Sequence, residues 1–245
     1  MTPTPDTPAA APVVWITGAS GGLGRSVAAH FAQAGARVAL LAQHDAGLQR
    51  TVAAWPADWQ ARALCLPVNL LELQAVQQAC AQVLQRWGRI DVAVHLAGGF
   101  TMGLGVHQPG FAAALDHMLD INLRTVVHSL AAVVPAMLAQ GGGAVVNVGA
   151  ASAGQGAAHM GAYAASKSAL ARLTESLAAE LKGQGVRVNA VLPSIIDTPA
   201  NRAAMPGADP SRWVAPDALA EVIGFLASPA ARAVQGACLP VAGLI

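Results

Sequence analysis

The chain has 245 residues, 54% of them hydrophobic and 11% charged, with a formal net charge of +1 at pH 7. Scattered arginines and a near-zero charge exclude a clustered basic footprint for nucleic acid. Residues 1–12 lack the basic and apolar regions of a secretory signal, and no uninterrupted apolar run reaches the ~20 residues of a membrane span. We therefore expect a cytoplasmic protein with neither nucleic-acid nor membrane partners.

The cysteines and histidines indicate no metal site. Three cysteines lie far apart and form no CxxC pair, which favours free thiols in a reducing compartment. Seven histidines show no ligand spacing such as HExxH. High hydrophobicity with few charges also predicts an oligomer that buries part of its surface.

From residue 13 onward, short apolar runs alternate with amphipathic segments. The predicted strands cover residues 13–17, 37–42, 63–68, 91–97, 143–150, 186–193 and 237–242. The clearest helical patterns cover residues 23–35, 71–87, 110–139 and 160–182. This alternation predicts an α/β fold with a parallel sheet covered by helices on both faces.

The domain organisation is predicted to be simple. Residues 1–12, rich in proline and small residues, are expected to form a disordered lead-in, and residues 13–245 one domain. The only long irregular segment is 193–213, which is expected to be a lid or binding loop. Its mostly apolar part fits an apolar ketone or an acyl thioester, and its arginines are candidate anion contacts, Arg202 and Arg212. Trp213 either lines the pocket or packs against the following helix.

The stretch TGASGGLG, residues 17–24, joins the first strand to the first helix. Its glycines, Gly18, Gly22 and Gly24, permit a tight turn and a close approach of a phosphate to the backbone. A helix that begins near Leu23 directs free N–H groups and its positive end at that phosphate. An ordinary glycine-rich turn is the alternative, but the position between a strand and a helix in a series of βαβ units favours dinucleotide binding.

The only tyrosine, Tyr163, precedes Lys167 by four residues, and the chain has only two lysines. Residues four apart share one face of a helix. A nearby cation favours the phenolate and is expected to lower the tyrosine pKa from its usual value of about 10. Tyr163 could then exchange a proton with a carbonyl or alcohol oxygen. The alternative is a tyrosine that packs at the edge of the core and a lysine in solvent. The presence of the glycine-rich loop at 17–24 in the same chain favours the catalytic interpretation.

Together, TGASGGLG and the later YAASK resemble the motifs of the short-chain dehydrogenase/reductase family. The resemblance extends from about Val13 to Gly243, and the chain looks most like carbonyl reductases of the 3-oxoacyl-acyl carrier protein reductase type. It implies a Rossmann-type doubly wound sheet of seven parallel strands, a nicotinamide cofactor, a small carbonyl or alcohol substrate, and a homodimer or homotetramer.

The resemblance also implies residue roles. Asn122 in DINLRTVV would hold a water that relays protons to Lys167, and Lys167 would orient the cofactor ribose. PSIIDTP resembles the segment beside the nicotinamide, and VNL the segment beside the adenine. The implied cofactor contacts are Gly18, Ser20, Gly22, Leu23, Gly24, Asn69, Leu70, Ala97, Gly98, Tyr163, Lys167, Ile196 and Thr198.

Three departures stand out. Ser194 replaces the usual glycine of the PSIIDTP segment, and HLAGG stands where the family usually has NNAG, so that His95 and Leu96 replace two amides. His95 is expected to be a core histidine rather than a cofactor contact. The usual catalytic serine position carries Ala150, and Ser152, two residues on, is the candidate replacement.

Ala150 also leaves two alternatives to a carbonyl reductase. Alanine at this position resembles the dihydropteridine reductase branch, whose quinonoid substrate needs no serine. The other alternative is a dinucleotide-binding protein with little catalytic activity.

The second predicted strand ends where the family selects its cofactor. Ala42 stands where members that use NAD carry aspartate, whereas Asp45 follows in the loop and either binds the ribose or caps the next helix. Gly21 and Gln43 occupy positions that are often basic in members that use NADP. Two other basic residues could approach a 2′-phosphate, Arg25 and His44. NADP(H) is weakly favoured over NAD(H), since no carboxylate clearly blocks it.

Overall fold

A computed structural model describes residues 11–245; most of the predicted lead-in, residues 1–10, lies outside the described residues. The described chain forms one sheet of seven parallel strands in the order β3-β2-β1-β4-β5-β6-β7. The strands are β1 Val13–Thr17, β2 Arg37–Ala42, β3 Ala63–Pro67, β4 Val92–His95, β5 Gly143–Val148, β6 Val186–Pro193 and β7 Cys238–Val241. The predicted Rossmann-type doubly wound sheet is thus confirmed.

Helices cover both faces of this sheet. Those of the described residues are α1 Gly22–Gln33, α2 Asp45–Ala53, α3 Ala57–Gln60, α4 Leu73–Trp87, α5 Phe111–Leu119, α6 Thr125–Ala139, α7 Gly161–Glu180, α8 Pro199–Ala204 and α9 Pro216–Ala227. Side chains of α4, α6 and α7 form one apolar cluster with the sheet, and those of α1, α2 and α9 form the other. The strands are mostly apolar because those in the centre of the sheet are buried on both faces, whereas the edge strands β3 and β7 are partly exposed.

The order of the strands creates a crevice at their carboxyl ends. β1 pairs with β2 on one side and with β4 on the other, so the chain reverses direction along the sheet between these two neighbours. In the register, Thr17 lies beside His95, and His95 lies beside Asn147. Ligands of open parallel sheets bind at such a switch point, and the loops described below surround it.

Side chains end some elements earlier than the apolar pattern predicts. Strand β4 ends at His95, not at residue 97. The backbone N–H groups of Leu96 and Ala97 donate to the hydroxyl of Thr17, at 3.2 and 3.3 Å. These bonds turn the chain away from the sheet and over the first loop.

Two further predictions need correction. The predicted long helix 110–139 contains a π-helical turn, Asp120–Arg124, between α5 and α6. The segment 193–213 is not wholly irregular, because it contains α8 and a 3₁₀ turn, Pro210–Arg212. Thr198 begins α8 by accepting the backbone N–H of Asn201 at 3.2 Å, as helix-capping threonines do.

The continuous helical run Phe111–Ala139 is long and apolar enough to cross a membrane by length and composition alone. The run is not an uninterrupted apolar stretch, because it contains Asp116, Asp120 and Arg124. In this fold the run packs against α4 and α7, and Met118, Val126 and Val133 are buried in it. The run is therefore a helix that packs in the apolar core on one face of the sheet.

Candidate active site

The loop between β1 and α1 forms the floor of the crevice, and its glycines let it pack closely against neighbouring segments. Gly18 has φ 69°, and a Cβ on it would lie 2.7 Å from the backbone nitrogen of Ala97. A Cβ on Gly22 would lie 2.8 Å from the Cγ2 of Thr198. A side chain at either position would collide with these neighbours, so the loop needs glycine there. Its bare backbone also fits the close approach of a pyrophosphate at the first turn of α1.

Thr17 received no role from its sequence context, although it shapes this floor. Its hydroxyl oxygen accepts both N–H groups that follow β4, and it thereby places Ala97 against Gly18. The only signal in the sequence is a buried polar residue at the end of an apolar strand. Thr17 is 2% exposed, so its bonds are well shielded from water.

The segment after β6 forms the opposite wall. The Ile196 carbonyl accepts the Thr198 N–H at 2.9 Å and the side-chain amide of Asn201 at 2.8 Å. Ser194, which replaces the usual glycine, donates from its hydroxyl to the Ala242 carbonyl at 2.6 Å. The serine therefore fastens the segment to the end of β7 and leaves Thr198 beside the glycine loop.

The end of the crevice near β2 and β3 differs from the expectation for Asp45. Helix α2 begins at Asp45, so His44, not Asp45, holds the N-cap position. The Asp45 carboxylate accepts the side-chain amide of Gln49 at 3.1 Å. Asn69 is exposed and donates to the Glu72 carboxylate at 2.8 Å, while Leu70 is buried. Asn69 thus lies in the turn between β3 and α4, apart from the residues around Tyr163.

Tyr163 and Lys167 lie in the first two turns of α7. Lys167 is only 6% exposed, and its Nζ donates to the Val148 carbonyl at 2.9 Å. Burial lowers the pKa of Lys167 to about 8 and raises the pKa of Tyr163. The direction for Tyr163 is opposite to the expected one, because burial desolvates the phenolate and so disfavours it.

Asn122 reaches this pair from the π-helical turn, a distortion that is frequent at functional sites. Its amide donates to the Gly99 carbonyl and to the Ser166 hydroxyl, both at 3.1 Å. Its Oδ1 accepts the Gly99 N–H at 3.0 Å and keeps one lone pair free. A Cβ on Gly98 would lie 2.5 Å from this oxygen and 3.6 Å from the Nζ of Lys167. Both polar atoms therefore border the same small space.

Ser152 has an unsatisfied hydroxyl. It lies in a 3₁₀ turn, Ala151–Ala153, after β5, and its Oγ is buried without a hydrogen-bond partner within residues 11–245. Ala150 is 7% exposed and precedes this turn in an extended conformation. Buried polar groups are normally paired, so this hydroxyl is an unsatisfied donor in a turn that packs against α7.

His95 belongs to a closed chain of hydrogen bonds, as expected for a core histidine. Its Nδ1 lies 2.7 Å from the Oδ1 of Asn147, and its Nε2 lies 2.8 Å from the hydroxyl of Ser129. The indole of Trp15 donates to the same hydroxyl at 2.8 Å. At the other end, the Asn147 amide donates to Thr174 at 2.9 Å.

The hydrogen-bond partners of His95 determine which of its ring nitrogens carries the proton. An amide oxygen only accepts, so His95 carries its proton on Nδ1 and accepts the Ser129 proton at Nε2. Burial lowers the pKa of His95 to about 4, which keeps the ring neutral. The network joins β1, β4, β5, α6 and α7 beneath the crevice. Of its members, only His95 has a role predicted from the sequence.

The chain was also compared with known families and proteins. A family model described as short chain dehydrogenase matches residues 12–208. The 3-oxoacyl-(acyl-carrier-protein) reductase of Thermotoga maritima is 31% identical over 242 residues, which cover 94% of this chain and 96% of the relative. The D-threitol dehydrogenase of Mycolicibacterium smegmatis is 32% identical over 240 residues, covering 94% and 91%.

Solved structures give the same result. A short-chain type dehydrogenase/reductase from Mycobacterium ulcerans superposes with a TM-score of 0.88 at 27% identity, covering 95% of this chain and 89% of that one. A 3-ketoacyl-(acyl-carrier-protein) reductase from Brucella melitensis, in complex with NADH, superposes at 0.82 with 27% identity, covering 96% and 98%. The chain belongs to the short-chain dehydrogenase/reductase family of NAD(P)-dependent oxidoreductases.

Proposed function

We propose that residues 13–245 form a single cofactor-binding and catalytic domain that reduces a carbonyl group with a nicotinamide cofactor, with Tyr163 as the general acid. The observation that carries this proposal is the placement of Tyr163 and Lys167 in the first turns of α7, with Lys167 and Asn122 beside Gly98. The glycine loop lies at the adjoining end of β1.

In the direction of reduction, Tyr163 acts as the proton donor, and in the direction of oxidation the same group acts as the proton acceptor. Because burial raises the pKa of Tyr163, its phenol is protonated at neutral pH and is ready to donate. When bound, the nicotinamide supplies a hydride to the carbonyl carbon. Tyr163 gives its proton to the carbonyl oxygen, so one C–H and one O–H bond form as the C=O bond becomes single.

Lys167 and Asn122 would restore the proton. A Lys167 pKa of about 8 lies close to neutral pH, where proton exchange is most efficient. A water between Nζ of Lys167 and the free lone pair of Asn122 would connect the pair to solvent. The unpaired hydroxyl of Ser152 would donate to the substrate oxygen in place of the serine missing at Ala150.

The cofactor would lie along the crevice. The Gly18–Gly24 loop and the first turn of α1, with Ser20 and Leu23, would bind the pyrophosphate. Ala97 and Gly98 would lie under the nicotinamide half, and Lys167 would bind its ribose. At the two ends, the implied contacts are Asn69 and Leu70 for the adenine, and Ile196 and Thr198 for the carboxamide.

A weak preference for NADP(H) over NAD(H) is part of the proposal. Ala42 offers no carboxylate to the ribose, and the carboxylate of Asp45 is engaged by Gln49. An acidic side chain at the end of β2 normally selects NAD. The protein is also proposed to be cytoplasmic. It is further proposed to form a homodimer or homotetramer, and the exposed apolar side chains of Leu244 and Ile245 support a subunit contact.

A second candidate reaction is the reduction of a quinonoid or pterin-like substrate. Alanine at position 150 supports it, since that chemistry needs no serine donor. The pairing of Ala150 with an unsatisfied Ser152 hydroxyl favours carbonyl reduction instead.

The test is to mix the purified protein with NADPH or NADH and follow the nicotinamide absorbance. The substrates are a diketone, an acetoacetyl thioester, an aryl ketone and a quinonoid dihydropterin. Turnover is expected with a carbonyl substrate and is expected to fall about 10²- to 10⁴-fold in Tyr163→Phe. Ala165→Ser, at an exposed position of the same helix, is the matched control and retains turnover. Cofactor binding without turnover of any substrate would contradict the proposal.

A further inference from the structure

Two loops beside Tyr163 carry no formal charge. They are the loop after β4, residues 99–110, and the segment after β5, residues 149–162, and together they are named the mouth. Neither contains Asp, Glu, Lys or Arg, and their only ionisable side chains are His107 and His159. In a chain with 27 such charged residues, the mouth therefore offers no ion-pair partner to a ligand.

The first of these loops exposes a row of large apolar side chains. They alternate along it and are named the apolar rim, Phe100, Met102, Leu104 and Val106. Phe100 is 55% exposed and Val106 68% exposed. Contiguous exposed apolar surface marks a binding site more often than a random surface does.

The loop conformation is held by specific contacts. The N–H of Gly103 donates to the carbonyl of His159 at 2.9 Å. His159 has φ 62°, a left-handed backbone that is rare outside glycine among the described residues. A Cβ on Gly161 would lie 2.9 Å from the Cγ2 of Val106. The two loops are thus packed together, with the apolar rim directed away from the core.

The apolar rim is continuous with the proposed proton donor. The ring of Phe100 lies edge-on to the ring of Tyr163, with 4.8 Å between the centroids. Behind it, a small cavity of about 30 Å³ is lined by side chains of both loops, with Met102, Leu104 and His159 among them. A substrate whose carbonyl oxygen reaches Tyr163 must therefore place its remaining groups against these side chains.

The arginines of the lid are already engaged. Arg202 forms a two-point ion pair with Asp197, with Nη2 2.7 Å from Oδ2. Arg212 donates to the Leu244 carbonyl at 3.0 Å. Asp197 therefore neutralises the charge of Arg202, whereas Arg212 is held by a neutral carbonyl and keeps its charge.

From these observations we infer that the substrate is an uncharged ketone whose aryl or alkyl group packs on the apolar rim, and that Phe100 determines this specificity. The inference rests on the proposed function and narrows it. An acyl group on an anionic carrier and a keto acid are disfavoured, because neither loop of the mouth carries Asp, Glu, Lys or Arg for an ion pair. A polyol is disfavoured because the apolar rim beside Tyr163 cannot replace the water around its hydroxyl groups.

The experiment compares matched ketones with the cofactor present. Acetophenone and 4-acetylbenzoate differ only by a carboxylate, and dihydroxyacetone represents a polyol. We expect kcat/KM for acetophenone to exceed that for each of the other two by more than tenfold. Along unbranched 2-alkanones, kcat/KM is expected to rise about fourfold for each added methylene that packs on the rim.

Variants locate the effect. Phe100→Ala is expected to lower kcat/KM for acetophenone about tenfold, the range of one aromatic contact, and to leave the NADPH dissociation constant unchanged. Met102→Lys is expected to raise the ratio of kcat/KM for 4-acetylbenzoate to kcat/KM for acetophenone about fivefold. Phe225→Ala, at an exposed phenylalanine on α9, is the control and changes neither ratio.

The outcomes separate this inference from the proposed function. If 4-acetylbenzoate, an acyl thioester or dihydroxyacetone is the better substrate and still requires Tyr163, the proposed function stands and this inference is wrong. If Phe100→Ala changes the molecular mass in solution without changing the ketone ratios, the apolar rim is a subunit contact and the inference is wrong. If no carbonyl compound is reduced, both fall.

Discussion

Two polar clusters meet at the end of β5, and they differ in how completely they are paired. Asn147 belongs to the closed network with His95, Ser129, Trp15 and Thr174, in which each side-chain donor has an acceptor. The carbonyl of the next residue, Val148, accepts a hydrogen bond from Lys167. Lys167, Tyr163, Asn122 and Ser152 are named the open cluster. There the Ser152 hydroxyl has no partner within the described residues.

The difference in pairing indicates that the closed network stabilises the fold and that the open cluster takes part in the reaction. A fully paired buried network stabilises one arrangement of the strands, whereas a buried group without a partner costs free energy unless a ligand satisfies it. The closed network is expected to affect stability, and the open cluster turnover. Substitutions on the two sides should therefore give opposite patterns.

Lys167→Met should give the largest effect on the open side. Turnover is expected to fall about 10²- to 10⁴-fold, because the proton relay and the ribose contact are lost. The free energy of unfolding is expected to be unchanged or higher at pH 7, since burial disfavours the ammonium, as its lowered pKa shows. Steady-state kinetics and urea unfolding measure the two quantities. A variant that is inactive because it is unfolded would contradict the comparison.

The pH dependence of stability tests the closed side. The folded pKa of His95 is about 4, below its unfolded value of about 6.5. The unfolded state therefore binds the proton first as pH falls, and stability is lost between pH 6.5 and 4. The full loss is about 3 kcal/mol, measured by urea unfolding.

His95→Asn supplies the control for this slope. Asparagine does not titrate in this range, so the contribution of residue 95 between pH 6.5 and 4 should disappear. An unchanged difference in slope between the two proteins would mean that the ring is not buried in the neutral form.

Ser152→Ala should affect turnover but not stability. Loss of one donor to the substrate oxygen is expected to lower kcat about 10²-fold. Because the hydroxyl has no partner in the fold, its removal should not lower the melting temperature. Unchanged kcat in a folded variant would show that Ser152 does not replace the serine missing at Ala150.

Ser129→Ala should give the reverse result and the smallest effect. It leaves the Trp15 indole and the His95 Nε2 without partners, which is expected to cost about 1 to 3 kcal/mol of stability. The ratio of kcat values for two ketones should remain unchanged, because Ser129 contacts no substrate. Urea unfolding of Ser129→Ala, Trp15→Phe and the double variant would isolate the shared part, which should be nonadditive.

Much of the fold and part of the candidate site followed from local sequence. The bounds of β1, β2 and β6 agree with the predicted strands, because strands in the interior of a parallel sheet are buried on both faces and are therefore mostly apolar. The glycine loop and the spacing of Tyr163 and Lys167 are also local features. A helix and a tight turn need only neighbouring residues to define them.

Tertiary structure decided what depends on contacts between distant segments. Thr17 ends β4 across 79 residues of chain, and Asn122 reaches Ser166 across 44. The spacing to Lys167 predicts a lowered pKa for Tyr163, but burial by the surrounding fold raises that pKa. The arginines of the lid looked free in sequence, but Arg212 donates to Leu244 at the end of the chain. Local patterns specify backbone conformation, whereas pairing, desolvation and charge neutralisation exist only after the chain has folded.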